Sequence, residues 1–329
     1  MDTATHFVMG FGLAGLSFVD PVVASNPELA IAVMIGTVVG SQAPDIDTVL
    51  RIKKNNASYI RNHRGITHSI PFLFIWTVLI TAVIGLMFRD IPILHVALWT
   101  GIAVCVHVFT DVFNTYGTQA MRPFTEKWIS WNIIHIFDPV LFVTHVVAIL
   151  IWLLGIFDPA PTFIVLYSFL ALYYIWRTLV HYTRTKQVRR MDTSQVPEDK
   201  YYVIPTIHLN RWHVVKAHQD GSYEIGKLDG HTLVWSKHAV SSDHPAVEVS
   251  KSHPDIQAFL YFTSFAVAEV EELSFGYIVR WGDVRYRHRK QYPFVACMVM
   301  DKNYEPISTY VGWLSEDKME KKLSLGSHI

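Results

Sequence analysis

Long apolar runs fill the first part of the chain and then stop. Ile70–Phe88, Ile93–Phe113, Ile133–Phe157 and Thr162–Tyr182 each approach the roughly 20 mostly apolar residues that a helix needs to cross a bilayer. Two further runs are shorter or interrupted. Phe7–Ala24 contains Asp20-Pro21, and Ala30–Ala43 is brief, so these two either span or form a re-entrant pair. After residue 185 the pattern changes to short alternating stretches separated by turn residues. Trp212–His218 and Tyr223–Leu228 flank Gln219-Asp220-Gly221-Ser222, and Thr232–Val240 follows Asp229-Gly230, which predicts strands joined by tight turns. Asp255–Leu273 has no breaker and predicts a helix. Tyr277–Arg287, Phe294–Asp301 and Ile307–Trp313 predict further strands. The expected fold is an α-helical membrane bundle of about six segments over 1–185, followed over 186–329 by a cytoplasmic soluble α+β domain packed near the membrane face.

Charge sharpens this. Of 329 residues, 51% are hydrophobic and 17% charged, against about 25% charged in a soluble domain. Arg51, Lys53, Lys54, Arg61 and Arg64 lie in one loop. Arg122 and Lys127 lie in the next loop of the same parity, and Arg184, Lys186, Arg189 and Arg190 follow the last segment. The opposite loops hold only Arg89. By the positive-inside rule, six segments with both termini in the cytoplasm satisfy this bias. Arg184–Arg190 is expected to touch anionic lipid headgroups. Asp2 is the only charge before the apolar stretch, which predicts no cleaved signal peptide. Cys105 and Cys297 form neither a ligand spacing nor a disulfide framework, which fits a reducing compartment. The neutral net charge and the lack of a nucleic-acid motif argue against nucleic acid as a partner.

The polar residues at the segment ends carry the candidate chemistry. His6 opens the first segment, Asp45 and Asp47 end the second, His63 and His68 lie in the first basic loop, His107 and Asp111 close the fourth, and His135 and Asp138 open the fifth. The orientation used only Lys and Arg, yet it places all of these on one face. Taken singly each motif is weak. His107 and Asp111, at i and i+4, share a helix face, as many residue pairs do. Asp45-Ile46-Asp47 is also a common helix stop, and its two carboxylates point the same way only if the stretch is extended. His63 and His68 could simply face anionic lipid beside Arg61 and Arg64. Together, on one face, they point to a site for one to three divalent ions, with zinc the first choice and manganese or iron also suited to imidazole and carboxylate. Arg64 and Thr67 are expected to orient a substrate, and Asp47 to act as base. His95, His145 and the histidines after residue 200 are expected to be structural or at the surface. Arg280, Arg285, Arg287, His288, Arg289 and Lys290 read first as a solvated strand edge.

The ordered set of an N-terminal His, then Pro-Asp-Ile-Asp over 44–47, His-Arg-Gly-Ile-Thr-His-Ser over 63–69 and His-Val-Phe-Thr-Asp over 107–111 resembles the YdjM-like (LexA-regulated) family of membrane-bound metal-dependent hydrolases. The resemblance covers about 1–180. The longer two-part layout looks most like the YfhP-type members. It implies a bacterial inner-membrane, multi-pass protein with metal-dependent hydrolytic activity. The order of motifs is more distantly similar to zinc-dependent phospholipase C. That similarity implies His6, Asp45, His63 or His68, His107 and Asp111 as ligands, and a phosphoester lipid as the first substrate class. This chain lacks that enzyme's second His/Glu helix pair, which His135 and Asp138 fill only in part. Two other readings stay open. One is a metal-free phosphatase of the phosphatidic-acid type, although its Pro-Ser-Gly-His motif is absent. The other is a membrane-anchored regulator or scaffold with a structural metal.

Overall fold

The computed structural model describes residues 1–48, 60, 64–286 and 294–313, with the side chains of residues 47, 48 and 313 outside that description. The chain divides into two compact units. One is built from Met1–Asp47, His63–Arg184 and Pro205–Leu209, the other from Thr48–Asn62, Thr185–Ile204 and Asn210–Ile329.

The first unit is helical. α1 (Thr3–Leu16) starts where Asp2 accepts a hydrogen bond from the Thr5 N–H at 3.0 Å. It ends in a 3-10 turn at Ser17–Val19. Asp20-Pro21 then starts the short α2 (Pro21–Ser25), with Asp20 capping the Val22 N–H. α3 (Pro27–Gly40) is capped by Asn26. Proline at the first helical position and a short polar side chain before it favour helix starts, and they explain the break inside the first apolar run. α4 (Ile70–Met87) and α5 (Ile93–Val112) follow. The fifth segment begins later than its apolar run, as α6 (Pro139–Leu153), because Asp138-Pro139 supplies both cap and N1. α7 (Pro159–Met191) is 33 residues long. It continues through Arg184–Arg190, so this basic run lies on the helix itself.

α4, α5 and α7 are long and apolar enough to cross a membrane, whereas α1 with its 3-10 extension, α3 and α6 are apolar but shorter. A 15-residue helix such as α6 reaches about 22 Å at 1.5 Å per residue, below the ~30 Å of a hydrocarbon core. α4 leaves Phe74, Val78, Leu79, Leu86 and Met87 exposed, an arrangement suited to lipid as solvent. Inside, α3 packs on α1 and α5, and α1 on α6. Small residues permit these contacts. A Cβ on Gly10 of α1 would lie 2.8 Å from the Val38 Cα of α3, and one on Gly36 of α3 would lie 2.3 Å from Thr100 Oγ1 of α5. Val23, Leu29, Val33, Ile84, Val96 and Trp99 form one core cluster, and Met9, Ile134, Leu141, Phe163 and Leu170 belong to another.

The second unit holds two four-stranded antiparallel sheets. The first has the order β1 (Lys200–Pro205), β2 (Arg211–Ala217), β3 (Tyr223–Asp229) and β4 (Thr232–Ala239). The second has β5 (Ala266–Leu273), β6 (Gly276–Asp283), β7 (Phe294–Asp301) and β8 (Pro306–Trp313). Two short helices, α8 (Pro245–Ser250) and α9 (Pro254–Phe262), connect them. This corrects the helix expected over Asp255–Leu273. It stops at Phe262, and Ala266–Leu273 pairs along its whole length with β6. Ala and Glu in that stretch are good helix formers, but Val267, Glu269 and Glu271 alternate with neighbours that face the other way, and sheet pairing overrides propensity. Arg285 is no solvated edge residue. It is buried and forks onto Asp283, with Nη2–Oδ2 at 2.7 Å and Nε–Oδ1 at 3.1 Å. Arg287, His288, Arg289 and Lys290 lie outside the described residues.

Candidate metal centre

Four elements deliver the polar side chains to one end of the helical unit. α3 ends at Gly40, and a 3-10 turn over Ala43–Thr48 carries Asp45. This stretch is a 3-10 turn and not an extended strand. The side chain of Asp47 and the whole of His63 lie outside the described residues. A second 3-10 turn, Ile66–His68, sets His68 just ahead of α4. The last turns of α5 carry His107 and Asp111, and the first turn of α1 carries His6.

Asp45, His68, His107 and Asp111 converge, each offering one ligand atom within 4.8 Å of the others. The spacings are regular. His68 Nε2 lies 3.3 Å from His107 Nε2, 3.5 Å from Asp45 Oδ1 and 3.4 Å from Asp111 Oδ2. His107 Nε2 lies 3.7 Å from Asp45 Oδ1 and 3.6 Å from Asp111 Oδ2. Bonds of about 2.0–2.1 Å in a tetrahedron set its ligand atoms about 3.3–3.4 Å apart, so these separations suit a common ion better than they suit hydrogen bonds. The partner inventory agrees. Asp45 Oδ1 and Asp111 Oδ2 are buried and accept no hydrogen bond among the described residues, a costly state for carboxylate oxygens that a cation would relieve.

Both imidazoles are oriented as ligands. His107 donates from Nδ1 to the Ser41 carbonyl at 2.6 Å, leaving the Nε2 lone pair toward the cluster. His68 Nδ1 is held by the Thr67 hydroxyl at 3.1 Å. Burial pushes His68 down to about 3 against the opposing pull of Asp45, so its ring is neutral at pH 7. Burial also pushes the Asp45 carboxyl up, but His107, His68 and Arg64 outweigh it and hold the group well below the usual carboxylate range. The neutral His68 imidazole and the ionised Asp45 carboxylate are in their metal-binding forms.

Asp111 divides its two oxygens. Oδ2 faces the cluster. Oδ1 receives the α-amino group of Met1, Asn114 Nδ2 at 3.1 Å, Arg64 Nη2 at 3.2 Å and His6 Nε2 at 3.3 Å. His6 stacks on His107, with centroids 3.7 Å apart at 18°, and stands beside the four converging residues rather than among them. Arg64 has a left-handed backbone, φ 58°. Its carbonyl accepts from Gln119 N–H at 3.0 Å and Thr118 Oγ1–H at 3.1 Å, which fixes that conformation. Its guanidinium donates to the Met1 carbonyl at 2.9 Å and to Asn114 Oδ1 at 3.3 Å. Arg64 and Thr67 therefore both touch the ligand set. Asp138 is not brought to this cluster. It caps α6 through the N–H groups of Val140 and Leu141 and accepts from Tyr173 Oη at 2.8 Å. His135 donates to the Phe137 carbonyl. His95 pairs with Asp20 at 2.5 Å, and His145 bonds the Leu141 carbonyl.

Met1 and Asn114 were absent from the residues singled out by sequence. Asn114 sits three residues beyond Asp111, the spacing that keeps two side chains on one helix face, and that signal could have found it. Nothing in the pattern marks Met1.

A model of the YdjM inner membrane protein family matches residues 1–183, more than half of the chain. The chain belongs to this family. A second model, the YfhP C-terminal alpha/beta plait domain, matches residues 245–323. The chain is also similar to "Uncharacterized protein YfhP" of Bacillus subtilis (strain 168), with 42% identity over 330 residues, covering 99% of this chain and 100% of that protein. No solved structure matches. The YdjM match spans the His/Asp cluster, α4, α5 and all but the last turns of α7, so this is a membrane protein with a His/Asp group suited to a metal ion.

Proposed function

We propose that this protein is a metal-dependent hydrolase of the cytoplasmic membrane surface, with a phosphoester lipid as its first substrate class and a carboxyl ester or amide as its second. The observation that carries the reading is the convergence of Asp45, His68, His107 and Asp111, one ligand atom of each within 4.8 Å of the others, with two buried carboxylate oxygens that accept no hydrogen bond among the described residues. A divalent ion held there, zinc first, supplies Lewis acidity, activating a water and polarising a phosphoryl or acyl oxygen. The protein's own groups prepare the site. Ser41 and Thr67 set the two imidazoles, and Arg64, Asn114 and Met1 fix Asp111. Asp47 is the proposed base, and Arg64 the proposed contact for an anionic headgroup. The cluster stands at the ends of apolar helices, which favours a lipid headgroup as substrate. The Lys and Arg bias assigns it to the cytoplasmic side, with both termini there and Arg184–Arg190 facing anionic headgroups.

Phosphoester lipids in detergent micelles test the reading. Hydrolysis that depends on divalent ion, stops with chelator and is lost in Asp45→Asn supports it. Hydrolysis that persists with chelator would instead favour a metal-free phosphatase.

A further inference from the structure

The first sheet of the second unit carries a separate polar cluster that neither family match covers. Lys216 on β2 pairs in register with Glu224 on β3, and Glu224 with His238 on β4. Cross-strand partners share a face, so three strands present these side chains together. His218, two residues beyond Lys216, joins them just after β2. One nitrogen from each of His218 and His238 and one Glu224 oxygen lie within 4.8 Å of one another.

Three observations single this cluster out from ordinary surface polarity. His218 donates from Nδ1 to Asp199 Oδ1 at 2.9 Å, which turns the Nε2 lone pair toward Glu224 Oε2, 3.9 Å away. A carboxylate behind the imidazole is the arrangement that fixes metal-binding histidines. Glu224 Oε2 is buried, and its one close cation among the described residues, Lys216 Nζ at 3.3 Å, makes an ion pair without a well-formed hydrogen bond. The charges also favour a cation. Lys216 Nζ stands 2.9 Å from Asp192 Oδ2, 3.3 Å from Asp199 Oδ2 and 3.3 Å from Glu224 Oε2, so one ammonium faces three carboxylates. An open cleft of about 430 Å³ adjoins the cluster, and Asp220 and Ser222 line it.

We propose that His218, Glu224 and His238 bind a divalent transition ion of the zinc class, with Asp199 orienting His218. Two imidazoles among three ligands select zinc, nickel or copper over magnesium or calcium. Three protein ligands leave a position open to the cleft for water or a small anionic ligand. The ligands come from the end of β2 and from β3 and β4, with no short-range spacing to announce them, so the sequence reads as scattered surface histidines.

The test uses the full chain in detergent, stripped of metal and titrated with zinc by calorimetry. It compares His107→Ala/Asp111→Ala with the same protein also carrying His218→Ala/His238→Ala. The first should bind one equivalent through the sheet site, and the second none of it. Asp199→Asn should weaken that equivalent about 10–100-fold. The same His218→Ala/His238→Ala change in an otherwise unaltered protein should lower total bound metal by one equivalent, which covers the case in which the bundle variant fails to fold. His238 is exposed, so its single replacement by Ala should leave circular dichroism unchanged and still cost that equivalent. Equal zinc stoichiometry and affinity with and without His218 and His238 would overturn the proposal. Loss of the bundle equivalent alone bears only on the proposed hydrolase.

Discussion

The carboxylate of Asp111 serves two sets of partners. Oδ1 is held by Met1, His6, Arg64 and Asn114, and Oδ2 is left for the cluster. Removing an outer holder should therefore loosen a ligand without deleting it. Asn114→Ala is expected to weaken metal binding about 10–100-fold and also to lower the unfolding temperature, because Asn114 Oδ1 accepts from the Tyr116 and Gly117 N–H groups at 2.9 and 3.0 Å; unchanged affinity of the folded variant by competition with a chelating dye would contradict this. The i, i+4 spacing of His107 and Asp111 is legible in sequence because helix geometry is local. The hydrogen bond from His107 to the Ser41 carbonyl is not, since it joins residues 66 apart. In the second unit the buried Lys216 network gives a pH prediction. Burial pushes Asp192 and Asp199 up, but Tyr201, Lys216 and Ser194 for the former, and the Val196 N–H, His218 and Lys216 for the latter, hold both below the usual range. Burial lowers Lys216, and Asp192 and its neighbours raise it overall. A depressed carboxylate contributes stability above its unfolded value of about 3.9 and loses it as pH falls through the lower folded value. A raised lysine contributes below about 10.4 and loses it as pH climbs through its folded value. The network should thus stabilise most between about pH 4 and 10. Asp192→Asn should lower the thermal midpoint at pH 7, with the gap from wild type narrowing below about pH 4. A gap that stays constant down to pH 2 would sink this assignment.

Among elements, the spacing of α1 and α3 matters most for the centre. The Gly10 contact with Val38 and Ser41 sets where Ser41 presents its carbonyl to His107. Gly10→Val should destabilise the bundle by about 1–3 kcal/mol, as overpacking does, and should lower bound metal in the protein that still folds. Full metal occupancy in a well-folded Gly10→Val protein would argue against this coupling. Helix starts at Asp2, Asp20, Asn26 and Asp138 are local cap signals, so these boundaries follow from residue identity. The second sheet is not legible from local sequence. Its first strand, Ala266–Leu273, carries helix-forming Ala and Glu, and only pairing with the distant β6 decides its conformation.

At the scale of the whole molecule, apolar runs and loop charge say more than any single motif. Among the described residues three apolar helices meet the length for a span and three fall short, and hydropathy alone does not distinguish a short span from a re-entrant element. Orientation rests on Lys and Arg placement. In a background lacking Cys105 and Cys297, Asp90→Cys between α4 and α5 should react with a membrane-impermeant maleimide in intact cells. Thr125→Cys, between α5 and α6, should react only after permeabilisation. The reverse pattern would place the His/Asp cluster on the outer face.

Metal content of the detergent-purified protein, measured by inductively coupled plasma mass spectrometry beside a folded His107→Ala/Asp111→Ala protein, decides whether Asp45, His68, His107 and Asp111 hold an ion. Divalent metal is expected in the wild type, with the bundle's share lost from the double variant. Equal metal in the two proteins, or none in the wild type even after reloading, would contradict it.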